Sequence, residues 1–213
     1  MSAPIVIRHI VSIAGCVRES ASAVPPLVTR DLERRLEGAL VEIVTGPTAF
    51  ETMRTVQPVN PKTRRRLDQT YTQTDGIYFF VDLPPGQYRL RFSAPQHGSR
   101  FGVVEADPVD VAPAAAAGAA AIVARADVSL PSTRVRGVVT RLDTGDPVEN
   151  ALVRVRSDPQ SVRTDDAGRY ELRRMIQGSP TIEVSAPNLA PARRTVTLAA
   201  GQEQVVDIQL APL

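Results

Sequence analysis

Reactive chemistry in this chain would have to come from very few residues. Histidine occurs twice, as His9 and His97, and cysteine once, as Cys16. No two of these stand close in sequence, whereas a zinc or iron site needs several His, Cys or carboxylate ligands to converge. The nucleophile elbow G-x-S-x-G is absent, and so are both types of glycine-rich phosphate loop. Neither histidine has an acid or nucleophile partner readable from the sequence. The acidic turns TDDAG (164–168) and QTDG (73–76) could offer oxygen ligands to Ca²⁺, but they lack the alternating Asp of a dedicated loop. Asp in such turns usually caps its own backbone N–H groups, and that is the reading preferred here. The expectation is a protein that is not an enzyme and carries no cofactor or metal.

Binding chemistry is better represented. The stretch NPKTRRRLDQ (60–69) concentrates Lys62, Arg64, Arg65 and Arg66. It can be read as a solvated loop, as a contact for an acidic protein surface, or as a phosphate contact. No aromatics interleave the charges, which weakens the nucleic-acid reading. Net charge argues the same way: residues 1–130 hold 14 basic and 13 acidic side chains, and the remainder 11 and 10, so neither part presents a one-sided field.

These residues must be held by strands. Hydrophobic residues make up 43% of the 213, but aromatics only 4% with no Trp, which suggests small cores of Val, Leu, Ile and Ala. Eighteen prolines among short alternating runs favour strands and corners over long helices. DLERRLEG (31–38) could form one or two helical turns. The Ala-rich stretch 111–124 is too short and too weakly apolar to span a bilayer. IAGC (13–16) matches a lipoprotein cleavage box. Arg8 and His9 interrupt the apolar segment such a signal needs, so Ile13 to Val17 reads instead as a first strand. Assembly in the cytoplasm is the expectation, with lipidation at Cys16 set aside.

The sequence repeats itself. IAGCV (13–17) matches VRGVV (135–139), GALVEIV (38–44) matches NALVRVR (150–156), TDGIYFF (74–80) matches DAGRYEL (166–172), and ADVSL (126–130) matches VDIQL (206–210). Order and chemistry are kept, which indicates an internal duplication. The domains expected are 1–130, with insertions near 19–37, 45–73 and 107–124, and a compact 131–213. Alternation places Val135, Val139, Val153, Val155, Tyr170, Leu172, Ile182 and Val184 inward in the second copy. The fold class expected is all-β: two tandem Greek-key sandwiches joined by a short linker. The corner DLPPGQYRL (82–90) recurs as RRMIQGSPTIEV (173–184), where only the glycine is kept. A turn needs its backbone retained and a ligand motif its side chains, so this is a structural corner used twice.

The stretches GVVTRLDTGDPVENALVRVRS (137–157) and TDDAGRYELRRMIQGSPTIEVSAPNLAP (164–191) resemble the carboxypeptidase regulatory-like domain, a transthyretin-like sandwich of about seven strands. The resemblance covers nearly all of 134–210, and in the first copy 13–17, 38–44 and 72–96. It implies a fold and a non-catalytic role. The His-x-x-Glu motif of the carboxypeptidase catalytic unit is missing after both histidines. The Tyr/His iron set of related dioxygenases and the His cluster of transthyretin-like hydrolases are missing too. A further likeness concerns residues 75–88. Their pattern is similar to accessory subunits of bacterial phage-tail-like contractile injection systems, which implies a protein partner in a larger particle. A surface module that binds carbohydrate or serves adhesion is the alternative; a nucleic-acid partner, a transmembrane segment and a small-molecule substrate are not expected.

One comparison singles out a surface. Where the second copy places Arg169, Glu171 and Arg173 outward, the first has Ile77, Phe79 and Val81, and Val44 stands for Arg156. Contiguous exposed apolar surface usually marks an interface. The expected cover is the insertion at 45–73, which carries Phe50, Met53 and Val56; a partner or the second domain are the other candidates. The candidate contacts are therefore Lys62, Arg64, Arg65, Arg66, Ile77, Phe79 and Val81. The duplication also predicts that residues 131–213 fold alone. Circular dichroism of that fragment should show β structure and a cooperative melt, and a random-coil spectrum would remove the case for duplication.

Overall fold

The computed structural model describes residues 9–20, 34–59, 66–113, 122–156 and 158–213. They form two units. The described part of the first is 9–19, 34–59, 66–96, 103–113 and 122–130; that of the second is Ser20, His97–Gly102 and Pro131–Leu213 without residue 157.

The first unit runs β1 (Val11–Glu19), β2 (Leu40–Thr45), α1 (Thr48–Val56), β3 (Gln69–Tyr71), β4 (Ile77–Val81), β5 (Gly86–Ser93), β6 (Val104–Glu105), β7 (Val109–Val111), β8 (Ala124–Arg125) and β9 (Val128–Leu130). One sheet has the order β4–β1–β8, with β9 also on β1; the other has the order β3–β2–β5–β6, with β7 also on β5. The core between them holds Ile13, Val17, Val41, Tyr78, Tyr88, Leu90 and Phe92.

The second unit runs β10 (Arg134–Arg141), β11 (Leu152–Val155), β12 (Ser161–Arg163), β13 (Arg169–Leu172), β14 (Thr181–Ser185), β15 (Ala192–Thr195), β16 (Glu203–Val205) and β17 (Ile208–Leu210). Its sheets are β13–β10–β16, with β17 also on β10, and β12–β11–β14–β15. Counting an interrupted strand once, each unit pairs seven strands in the same order. The fold is all-β, and the alternation read from the second copy places each of its eight inward residues in the core. In both units the first strand pairs antiparallel with the fourth and parallel with the interrupted last strand.

The interruption is built alike in both. The Tyr78 hydroxyl donates to the Ala126 carbonyl at 2.7 Å, and the Tyr170 hydroxyl to the Val206 carbonyl at 2.6 Å. Asp127 Oδ1 then accepts from the Cys16 N–H, and Asp207 Oδ1 from the Val138 N–H, both at 2.9 Å. The carboxylate stands in where the ladder lacks a carbonyl, so the first strand stays paired across the break. The carbonyl facing the tyrosine also forbids a side chain on the first strand. A Cβ on Gly15 would lie 2.0 Å from the Ala126 oxygen, and one on Gly137 1.9 Å from the Val206 oxygen. Burial pushes both tyrosine hydroxyls above their ordinary pKa, with the nearby Asp127 or Asp207 adding to it.

Other repeated features serve turns. Thr72 Oγ1 accepts from the Ala39 N–H and donates to the Leu36 carbonyl; Thr164 Oγ1 does the same with Ala151 and Val148. Asp75 Oδ1 accepts from the Ile77 N–H, and Asp165 Oδ1 from Ala167 and Arg169, so both acidic turns cap their own backbone. The corner glycines Gly86 and Gly178 have φ of 139° and 135°, a region that excludes a β-carbon and explains why only the glycine recurs.

Two expectations need correction. Residues 34–38 are not helical: Arg35 makes an isolated bridge to Arg18, and Glu37 and Gly38 form a turn. The rest of that expected helix lies outside the described residues. His97–Gly102, expected in the first domain, belongs to the second unit. Phe101 bridges Ser132, Arg100 Nη1 donates to the Arg174 carbonyl, and the Arg174 guanidinium lies 5.6 Å from the Phe101 ring.

The strand break yields a test. Gly137→Ala should destabilise the second unit by about 3 kcal/mol or more, because the clash is with backbone and not with a mobile side chain. Tyr170→Phe should cost about 1–3 kcal/mol, the penalty for a buried carbonyl left without its donor. Urea denaturation of the full chain should rank the two in that order.

Candidate functional site

The outer faces of the two β4-type sheets differ in chemistry. In the second unit, Glu171 lies 3.4 Å from Arg134 and 2.9 Å from Arg173, while Glu203 accepts from Arg136. Arg134 is only 4% exposed, so its charge is compensated within this cluster. In the first unit the matching strand β4 presents Ile77, Phe79 and Val81, which are 39%, 44% and 37% exposed. The register sets Ala14 opposite Phe79 and Cys16 opposite Ile77. Cys16 itself is buried within β1.

Among the described residues, the insertion leaves Ile77, Phe79 and Val81 exposed instead of covering them. Its helix α1 turns the other way: Phe50 is fully buried, with its ring 5.4 Å from that of Tyr88 in an edge-on contact, while Val56 projects into solvent. Tyr88 belongs to β5 in the opposite sheet, so the pull of that core decides where α1 docks. Val44 likewise lies on β2, in the sheet opposite β4, and does not share a face with Ile77, Phe79 and Val81.

Between the edge strands β3 and β4 runs an open groove of about 700 Å³, lined by Arg66, Leu67, Gln69, Tyr71, Phe79 and Val81 among others. Arg66 is the one residue of the basic run among the described residues; Lys62, Arg64 and Arg65 lie outside them. Its guanidinium makes a two-point contact with Asp68, Nε to Oδ1 at 2.9 Å and Nη2 to Oδ2 at 2.8 Å. Arg54 approaches the same carboxylate at 4.0 Å. The hydrogen bond from Arg66 holds the Asp68 carboxyl below the usual carboxylate range, although its burial pushes the other way. The basic run therefore ends on an ion pair beside the groove, which Arg66 lines. Sequence reasoning missed this pair; the signal was Asp68 two residues after Arg66, the right spacing across a strand entry.

Among the described residues no group of three or more His, Cys, Asp or Glu is placed to hold a metal ion. No described helix is long and apolar enough to cross a membrane.

Comparison with known proteins bears on the second unit above all. Residues 134–211 match the carboxypeptidase regulatory-like domain. Nothing among the curated proteins matches the chain. Among solved structures, the shaft pilin SpaA of Lactobacillus rhamnosus GG aligns over 96% of this chain and 98% of its own, at 12% identity and a TM-score of 0.43. The Bacillus anthracis TIE protein aligns over 94% of this chain but 34% of its own, at 13% identity and a TM-score of 0.39. A cohesin–X-dockerin complex from Acetivibrio cellulolyticus aligns over 37% of this chain and 57% of its own, at 19% identity and a TM-score of 0.33.

The Asp68 pair gives a pH-dependent expectation. A carboxyl whose folded pKa is depressed contributes stability above its unfolded pKa of about 4, and loses it as pH falls through the lower folded value. Asp68→Asn should therefore lower the melting temperature at neutral pH, and the gap to wild type should close in acid below the usual carboxylate range. A gap that stays constant with pH would show that the ion pair contributes nothing.

Proposed function

We propose that this chain is a non-catalytic, protein-binding structural or adhesion module, and that the outer face of β4 and its neighbours in the first unit is its contact surface. One observation carries this. Two units with the same strand order solve the same sheet face differently: one neutralises it with an internal ion network, the other leaves Ile77, Phe79 and Val81 exposed. Exposed apolar residues grouped on a strand are costly to keep unless something covers them. The shared pairing order, the paired tyrosine contacts and the corner glycines support reading the chain as two copies of one domain, the first with insertions. In that reading the second copy supports and the first binds.

The assembly is proposed to form in the cytoplasm, and a phage-tail-like contractile particle is the candidate suggested by residues 75–88. Affinity purification of the tagged chain from its native cells, with mass spectrometry of what accompanies it, tests both levels. Phe79→Asp should leave the melting temperature close to wild type, since Phe79 is nearly half exposed, and should remove the co-purifying protein. Retention of every partner by the Phe79→Asp protein would overturn this surface. Recovery of particle components would identify the assembly.

A second reading has one observation in its favour. Tyr71, half exposed, and Phe79 both line the groove, with Gln69 and Thr70 between the walls, a combination that can stack and hydrogen-bond a sugar. A glycan array in which binding vanishes with Tyr71→Ala would favour carbohydrate over protein.

A further inference from the structure

Beside the apolar face lies an unused edge. Among the described residues, strand β4 pairs only with β1. Val17 N–H donates to the Gly76 carbonyl and Asp82 N–H to the Ile10 carbonyl, which fixes the alternation: Tyr78 and Phe80 direct their backbone groups toward β1, and Phe79 and Val81 direct theirs away. Ile77 also faces away, but its N–H is taken by Asp75 and its carbonyl by Gln73. Among the described residues nothing pairs with the N–H and C=O of Phe79 and Val81.

The second unit takes up one group of the same edge. There Gln160, just before β12, donates from Nε2 at 2.8 Å to the carbonyl of Arg173, just after β13. The ladder registers show what replaces Gln160 in the first unit. Gln69 pairs with Glu42 as Ser161 pairs with Arg154, so the residue one step before each strand is Asp68 in one case and Gln160 in the other. An ionised carboxylate held by Arg66 has no proton to donate, so the Val81 carbonyl stays free and the groove stays open.

The geometry points to a second copy of this chain as the occupant of that edge, docked antiparallel along β4. This rests on the reading of the β4 face as protein-binding and names the partner. The free groups form a self-complementary set. In a register centred on Phe80, Phe79 lies opposite Val81 of the second copy, and Val81 opposite its Phe79. Four hydrogen bonds then use every free group on both strands, and two Phe–Val pairs cover each other on the outer face. Among the described residues lining the groove, the one cation, Arg66, is paired with Asp68 and adds no unpaired charge to the contact. A neutral edge of Phe and Val offers little to select a foreign charged segment, whereas it matches itself residue for residue.

Sedimentation velocity of the full chain across a wide concentration range tests this. Wild type should show a dimer. Val81→Pro removes an N–H that points away from the sandwich, so the melt should be kept while the dimer is lost. Val81→Thr keeps the N–H and should keep the dimer. A wild type that is monomeric throughout, or a Val81→Pro protein that still dimerises, overturns the proposal. If wild type is monomeric but Phe79→Asp still abolishes capture of another protein, the protein-binding reading stands and only the second copy falls; if neither holds, both fall. Should Val81→Pro melt early, Phe79→Cys and Val81→Cys chains decide. Mixed together with a short bis-maleimide they should cross-link several-fold more than either alone, and equal yields overturn the register.

Discussion

Each unit hangs on one hydrogen bond, from a buried tyrosine hydroxyl to the carbonyl where the last strand breaks. Tyr78 and Tyr170 sit on the fourth strand, at the first unit's Ala126 and the second unit's Val206. That bond ties together three strands that are distant in the chain. It forces a break in the last strand, an aspartate to bridge the break, and a glycine on the first strand to make room for the carbonyl. Three residue types on three strands are thereby fixed by one buried polar contact, because a buried carbonyl without a donor would be penalised. The motif around each tyrosine is thus structural, and the chain's distinctive chemistry must be sought on its surface.

Most of the sandwich was legible in the sequence because strand burial follows a period of two. Val153, Val155, Ile182 and Val184 are buried where alternation puts them. Gly15 and Gly137, and Asp127 and Asp207, stand at matching positions, but the strand break itself was not legible, since the hydrogen bond behind it joins residues 48 and 36 positions apart. Helix α1 was not legible. Its nine residues carry only Phe50 into the core, and one buried residue leaves no helical period to read. The candidate surface was half legible. Comparing copies exposed Ile77, Phe79 and Val81, but whether the insertion covered them depended on Phe50 preferring Tyr88, a contact no pattern announces.

The two outer faces show how a common frame takes on different surfaces. Positions that do not meet the tyrosine contact are free to vary. In the second unit they form a cluster in which Glu171 and Glu203 compensate Arg134, Arg136 and Arg173; in the first they are apolar. Asp68 stands where the second unit has Gln160, so the first unit lacks the side chain that there reaches the carbonyl just after the fourth strand.

The parallel pairing of first and last strands has a mechanical side. Both ends of the second unit's sandwich lie in one ladder, β10 beside β16 and β17, running in the same direction. Chain therefore enters at one end of that ladder and leaves at the other. Tension along the backbone would load its hydrogen bonds together in shear, and the tyrosine hydroxyl and bridging aspartate would act as rivets in the middle of the seam. The first unit repeats this arrangement in β1, β8 and β9. Such a seam would resist force applied along the chain.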